Sequence, residues 1–304
     1  MIRIAHFSDV HFAFPHFSWK QFFSKQFLGN LHFFLRRKSQ LSQKGIDSLP
    51  SLLSDLAVSH VIFTGDISTS SRHEEFERGT RWMEQFIQKG MQIYPLPGNH
   101  DCYTLSAERE RRFIRHFGSF LPPLKVGGRE YSLEKNRIAV REIEPGLWFV
   151  GLDTTLATAP LCSFGRFFSE VEQPLTFLLE QLKGETILLA NHYPILHRAF
   201  FLRKMQREQS LINLLQKFPQ VKLYLHGHTH QMRILDGEAL SLPLIADSGS
   251  CSAEKHATFF LFEMEKREKR YDLQIYRYMY EEREGWHKSI AEENESRTLF
   301  HPSL

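Results

Sequence analysis

The sequence predicts a mixed α/β fold, and two observations carry that expectation. Short apolar runs of strand length alternate with amphipathic helical patterns along the chain, and residues able to bind metal or move protons recur just beyond those runs. A third observation sets the scale: 304 residues with 42% apolar content can bury one large core.

The elements follow in order. Residues 2–7 form a short apolar run suited to a buried strand. A helical pattern through Leu49, Leu52, Leu53 and Leu56 then leads to a second run at 61–64, giving a β-α-β unit. A second helix pattern at 74–89 precedes a strand at 91–96. Further alternations place strands near 147–152, 185–191 and 221–226, with helices near 171–183 and 208–218. Beyond Leu240 strands dominate. Runs at 257–264 and 271–279 flank a charged turn at 265–270, the pattern of an antiparallel hairpin. One domain is expected over 1–280, with a polar tail at 281–304.

Composition narrows the functional classes. Lys and Arg number 38 against 35 Asp and Glu, a formal charge of +3 that neither demands nor excludes an anionic partner, but the sequence lacks an extended basic surface signature and no nucleic-acid partner is expected. Cys102, Cys162 and Cys251 are widely spaced and odd in number, which argues against a disulfide framework or thiolate cluster and suits a reducing cytoplasm. Residues 1–12 carry no secretory signal, and no window offers the roughly 18 uncharged apolar residues of a membrane span.

The chemistry is concentrated at five strand ends. Asp9 and His11 follow the first run, Gly65-Asp66 the second, and Gly98-Asn99-His100-Asp101 the third. Asn191-His192 and Gly227-His228-Thr229-His230 follow the strands near 185–191 and 221–226. Ligands of open α/β sheets gather beyond the carboxyl ends of strands, so these motifs are expected to meet. Residues two apart on a strand share a face, which would let Asp9 with His11, and His228 with His230, reach a common ion. Any one of these residues is more often a turn former, a helix cap or a surface histidine. Their ordered recurrence, with the His, Asn and Asp donors that suit divalent metals, favours a metal centre. His6, His16, His32 and His116 lie outside the motifs and are not expected ligands.

This series resembles the calcineurin-like metallophosphoesterase family from residue 1 to about 280. The resemblance implies a four-layer fold, a central β-sandwich flanked by helices. It also implies two divalent ions, with manganese favoured. Asp9, His11, Asp66 and His230 would hold the first, and Asp66, Asn99, His192 and His228 the second, with Asp66 shared. Two ions about 3.5–4 Å apart lower the pKa of a bridging water and clamp phosphoryl oxygens. The resemblance further implies that His100 stabilises the phosphoryl charge or protonates the leaving oxygen, and Asp101 is expected to orient its imidazole.

Residues 12–38 are unusual: eight phenylalanines and Trp19, five basic residues and no acid. Trp19, Phe23, Phe27, Leu31, Phe34 and Leu35 fall on one helical stripe, as in an interfacial amphipathic helix or in an ordinary helix packed on the core. An insertion or lid over 12–45 near the active site is expected. Residues 197–207 repeat the apolar-basic character, which makes Phe200, Phe201 and Lys204, together with Arg166, candidate substrate contacts. Within the family this combination resembles the UDP-2,3-diacylglucosamine pyrophosphatases of lipid A synthesis, which release UMP and an acylated sugar 1-phosphate. It departs from their best-known group in having His100 where that group has Arg. The resemblance implies peripheral association with the cytoplasmic face of the inner membrane. A cyclic-nucleotide or general phosphodiesterase, for which His100 is the usual residue, is the alternative enzyme, and a non-catalytic scaffold using residues 12–38 is the alternative class.

Overall fold

In the computed structural model the described residues are 1–14, 41–196, 201–253, 257–268, 270–289 and 295–300. Strands β1 (Ile2–Phe7), β2 (His60–Phe63) and β3 (Gln92–Pro95) run parallel. Helices α1 (Leu41–Asp55) and α2 (His73–Gln88) make the crossovers between them. The chain then passes through the short helices α3 (Leu105–Arg109) and α4 (Arg112–Phe117) to a small hairpin, β4 (Leu124–Val126) with β5 (Arg129–Tyr131). After α5 (Leu133–Asn136) come β6 (Ile138–Glu144) and β7 (Leu147–Leu152), then α6 (Ser169–Gln181), β8 (Thr186–Ala190), α7 (Glu208–Lys217) and β9 (Val221–His226). The remaining strands are β10 (Met232–Leu235), β11 (Leu244–Ser248), β12 (Ala257–Arg267), β13 (Arg270–Glu281), β14 (Gly285–Lys288) and β15 (Glu295–Phe300).

Two sheets result. The first runs β14-β13-β12-β1-β2-β3, with β15 also on β13, and the second runs β10-β11-β9-β8-β7-β6. Strand β8 explains how they stack. Its five residues are all buried, with Leu188 and Ala190 in the core shared with the first sheet and Ile187 and Leu189 in the core shared with α6 and α7. A strand buried on both faces loses the polar alternation of a surface strand and reads as a continuous apolar run. Tyr94 of β3 stacks on Phe149 of β7 at 4.9 Å, joining the two sheets directly. The expected sandwich flanked by helices is therefore present.

Two expectations change. The hairpin strands extend through the charged residues at 265–267, because Lys266 and Arg267 pair in register with Tyr271 and Arg270. The segment read as a polar tail at 281–304 carries β14 and β15, both antiparallel to β13, and Trp286 of β14 donates to the Gly45 carbonyl at 2.9 Å. Of the aromatic-basic insertion, residues 15–40 lie outside the described residues. Phe12, at its start, is buried edge-on against Trp82 with the Arg78 guanidinium over its ring, and residues 41–45 belong to α1. No helix among the described residues is long and apolar enough to cross a membrane, and none of the three cysteines forms a disulfide.

Two buried histidines give this fold an acid-sensitive edge. Burial, reinforced by His226, lowers the pKa of His6 in β1 to about 3, and burial lowers that of His60 in β2 to about 4. Unfolded, both would titrate near 6.5, so between about pH 4 and 6.5 the unfolded chain binds protons that the folded chain refuses. Stability is therefore fully present above 6.5 and is lost as pH falls through that window. We expect His60→Gln to reduce the slope of unfolding free energy against pH by up to about 1.4 kcal/mol per unit. Denaturant titrations between pH 4.5 and 7 measure this, and an unchanged slope would refute it.

Candidate metal centre

The loops after β1, β2 and β3 of one sheet meet those after β8 and β9 of the other. Backbone bonds weld the junction: the Asp9 and His11 amides donate to the Gly65 and Asp66 carbonyls at 2.9 Å, and the Gly227 amide donates to the His192 carbonyl at 3.1 Å. The His228 amide, from the second sheet, donates to Asp9 Oδ2 at 3.0 Å. Gly98 and Gly227 permit the close approach. A Cβ on Gly98 would fall 2.2 Å from Asp66 Oδ1, and one on Gly227 would fall 2.0 Å from Ser8 Oγ.

The convergence of Asp9 with His11 does not come from strand pleat, as expected. Strand β1 ends at Phe7, and Asp9 and His11 both hold left-handed backbone, with φ of 57° and 53°. Asp66, His228 and His230 do the same, at 61°, 71° and 58°. Each such residue costs of order 1–3 kcal/mol, and Asp and His are among the side chains that best tolerate it. Strain gathered on five donor residues marks these loops as built for aim.

The aimed atoms form two groups sharing one carboxylate. In the first, His230 Nε2 lies 2.9 Å and His11 Nε2 3.4 Å from Asp9 Oδ1, the two imidazole nitrogens are 3.4 Å apart, and His11 Nε2 is 3.8 Å from Asp66 Oδ2. In the second, His192 Nε2 lies 3.6 Å from the same Asp66 oxygen and 3.0 Å from Asn99 Oδ1. His228 Nδ1 is 2.8 Å from Asn99 Oδ1 and 3.2 Å from His192 Nε2. The seven residues expected from sequence are thus brought together, with Asp66 between the two groups.

The chemistry of the donors fits divalent cations. His192 Nδ1 donates to the Thr64 carbonyl at 2.7 Å, and His228 Nε2 to the Arg203 carbonyl at 3.2 Å, so in each ring the lone-pair nitrogen faces inward. Burial also lowers the pKa of both rings, favouring the neutral imidazole that metal ligation requires. The like-charge crowding falls on Asp66. Burial, then Asp9 and Asp101, push the Asp66 pKa well above the usual range. Burial opposes ionisation of Asp9 too, but the facing His230, His11 and His192 hold its pKa well below that range. Two cations would relieve this crowding, and among the described residues the histidine and aspartate clusters here suit a dinuclear divalent site.

His100 borders the first group, with a ring nitrogen within 4.8 Å of donor atoms of His11 and Asp66. Its Nδ1 donates to the Thr69 carbonyl at 2.7 Å and its ring stacks on Tyr103 at 5.0 Å. Asp101 does not orient it, contrary to expectation. The Asp101 carboxylate instead accepts the amides of Asp66, Ile67, Ser68 and Gly98 and the Ser68 hydroxyl, at 2.8–3.2 Å, and so staples the β2 loop to the β3 loop. Burial pushes its pKa up to about 6, against those donated bonds.

Several supporting groups had no sequence signal. The Thr64, Thr69 and Arg203 contacts use backbone carbonyls, which every residue carries. Ser8 Oγ donates to Asp9 Oδ2 at 2.5 Å, Ser250 and Ser252 both donate to the Asp9 carbonyl at 2.9 Å, and Thr229 donates to the buried Asp247 carboxylate. Of the expected substrate contacts, Arg166 donates to Gln206 at 2.9 Å and Lys204 pairs with Glu208 at 2.6 Å. Phe201 is 68% exposed, and Phe200 lies outside the described residues.

Comparison with known proteins agrees with this geometry. The family described as calcineurin-like phosphoesterase matches residues 2–232. Over 175 residues the chain is 27% identical to a 3′,5′-cyclic-nucleotide phosphodiesterase of Nostoc sp. (strain PCC 7120), covering 56% of this chain and 55% of that protein, so the match spans about half of the relative's length. Among solved structures, a dimetal phosphatase from Danio rerio superimposes over 99% of both chains with a TM-score of 0.65 at 14% identity. A purple acid phosphatase from yellow lupin seeds covers 98% of this chain and 53% of its own, with a TM-score of 0.57 at 11% identity. At such identity these structures establish a shared fold.

Proposed function

The chain belongs to the calcineurin-like phosphoesterase family, and we propose that it hydrolyses phosphodiesters, with 3′,5′-cyclic nucleotides the leading substrate class. The observation that carries the reading is the pair of donor groups joined at Asp66, with His100 alongside. Asp9, His11, Asp66 and His230 would hold one ion, and Asp66, Asn99, His192 and His228 the other. Manganese is the ion we favour, because the set mixes imidazole, carboxylate and amide oxygen without thiolate. When bound, such ions supply an activated water and positive charge beside the phosphoryl oxygens. His100 supplies the proton: with Thr69 holding Nδ1–H, its other nitrogen is the one that would carry the proton to the leaving oxygen.

A second reading keeps the same centre and changes the substrate. Leu161 and Phe201 are 83% and 68% exposed on two loops joined by the Ser163 amide and Leu202 carbonyl at 2.9 Å. The second loop reaches the centre through the Arg203 carbonyl on His228. This apolar rim favours an acylated substrate such as UDP-2,3-diacylglucosamine, met by a peripheral protein at the cytoplasmic face of the inner membrane.

One assay separates the readings: purified protein with manganese, and after chelation, against cyclic nucleotides, linear diesters and the UDP-linked diacylated sugar. We expect manganese-dependent turnover of cyclic nucleotides. Release of UMP from the acylated sugar alone would replace the first reading with the second. Failure on every substrate would overturn both.

A further inference from the structure

A second pair of imidazoles repeats the geometry of the buried centre on a different surface. His73 opens α2 and His116 lies on α4, 43 residues later, and nothing in their sequence positions groups them. Their rings face each other with Nδ1 of His73 3.4 Å from Nε2 of His116, ring centres 5.7 Å apart and planes crossed at 51°. In the candidate metal centre, His11 and His230 stand with nitrogens 3.4 Å apart, ring centres 5.3 Å apart and planes crossed at 52°.

The distance itself is informative. A well-formed hydrogen bond from a ring N–H closes to about 2.7–3.2 Å, so 3.4 Å is long for one. Two nitrogens each about 2.0–2.1 Å from a tetrahedral ion stand about 3.3–3.4 Å apart, the edge of that tetrahedron. We propose that His73 and His116 form a surface transition-metal site, separate from the dinuclear centre, of the class that takes Zn²⁺.

The surroundings are those of a ligating pair. Packing fixes one ring, since His116 stacks on Phe76 at 5.4 Å. The Glu110 carboxylate stands 3.7 Å from Nε2 of His73, on the side where a carboxylate orients a ligating imidazole, while also pairing with Arg112 at 2.8 Å. Burial, then His73 and Arg112, lower the pKa of His116, leaving it neutral at pH 7, with Glu77 opposing. Glu77 lies one helical turn beyond His73 on α2 and pairs with Arg81 at 4.0 Å, so the two imidazoles are the protein donors of this site. Water would complete the coordination on the exposed side. The ion would tie α4 to α2, and α4 leads back to the catalytic loop. Arg112 donates to the Ser71 carbonyl at 2.8 Å, and the Ser71 hydroxyl donates to the His100 carbonyl at 2.7 Å.

The test is Zn²⁺ stoichiometry by calorimetric titration of the chelator-stripped full chain. His116→Gln, and separately His73→Gln on the other helix, should each lower it by one equivalent while leaving phosphodiester turnover unchanged. In an Asp9→Asn/Asp66→Asn background, which removes charge from the dinuclear centre, one equivalent should persist and should disappear on adding His116→Gln. Equal stoichiometry in the parent chain and both single variants, each with an unchanged unfolding midpoint, would mean a plain hydrogen bond between neutral imidazoles and would overturn the proposal. A stoichiometry insensitive to the Asp9/Asp66 pair but sensitive to His116 would instead count against the dinuclear reading alone.

Discussion

Asp66→Asn is expected to abolish metal-dependent hydrolysis, lowering kcat/KM by at least about 10³-fold, a loss of about 4 kcal/mol of transition-state stabilisation. The amide can still accept the His100 backbone N–H that now reaches Asp66 Oδ1 at 2.7 Å, so the loop should keep its shape. What disappears is the negative charge on the one oxygen that faces both donor groups, 3.8 Å from His11 and 3.6 Å from His192. The same substitution should stabilise the chelated protein. Burial and the neighbouring Asp9 and Asp101 carboxylates push the Asp66 pKa well above its unfolded value, so near pH 7 the folded state either carries a repelled charge or takes up a proton. The sign follows from linkage: a carboxyl with a raised folded pKa costs stability as pH rises past its unfolded value, and asparagine removes that cost. We expect the unfolding midpoint of the chelated variant to rise by a few degrees, while the increment that manganese gives the parent chain is lost. Turnover, metal content per chain and unfolding midpoints with and without chelator measure the three effects. A variant that keeps turnover, or loses stability in chelator, contradicts this account.

The donor set was legible because parallel strands end together. Once the runs before Asp9, Asp66 and Asn99 are read as neighbouring parallel strands, their following residues must emerge at one edge, and β8 and β9 deliver His192, His228 and His230 in the same way. How they aim was not legible. The left-handed backbone of Asp9, His11, Asp66, His228 and His230 is set by contacts across the sandwich, such as the His228 amide on Asp9, which no local pattern encodes. Asp101 was misjudged for a related reason. Adjacency to His100 suggested an orienting carboxylate, but neighbours on a loop need not face each other, and four backbone amides held at one place compete more strongly for its oxygens. Several of the missed elements are short. Strands β4, β5, β10 and β14 have only three or four residues, too few for a period-two pattern to stand out, and their pairing comes from neighbours already placed. Residues such as Lys266 and Arg267 read as a turn, yet pairing with β13 carries them as strand.

His100→Ala is expected to reveal its role through the leaving group. If the imidazole protonates the departing oxygen, its removal should slow diesters with alkoxide leaving groups, including cyclic nucleotides, by about 10²–10⁴-fold in kcat. A nitrophenolate leaves without a proton, so the same variant should lose roughly tenfold or less on a nitrophenyl diester. The geometry gives the reason for separating these cases. Thr69 holds Nδ1–H at 2.7 Å and Tyr103 stacks on the ring, so the imidazole cannot swing to another partner without breaking both contacts. A residue that merely steadied the β3 loop would affect every substrate alike, because its loss would displace Asn99 and the Asp66 contact regardless of what departs. His100→Gln tests that alternative, since it fills the space and can reach Thr69 yet cannot act as an acid near neutral pH. Equal slowing of nitrophenyl and alkyl diesters in both variants would reassign His100 to positioning. Slowing confined to alkyl leaving groups, in glutamine as in alanine, makes proton donation the term that the first metal group's neighbour supplies.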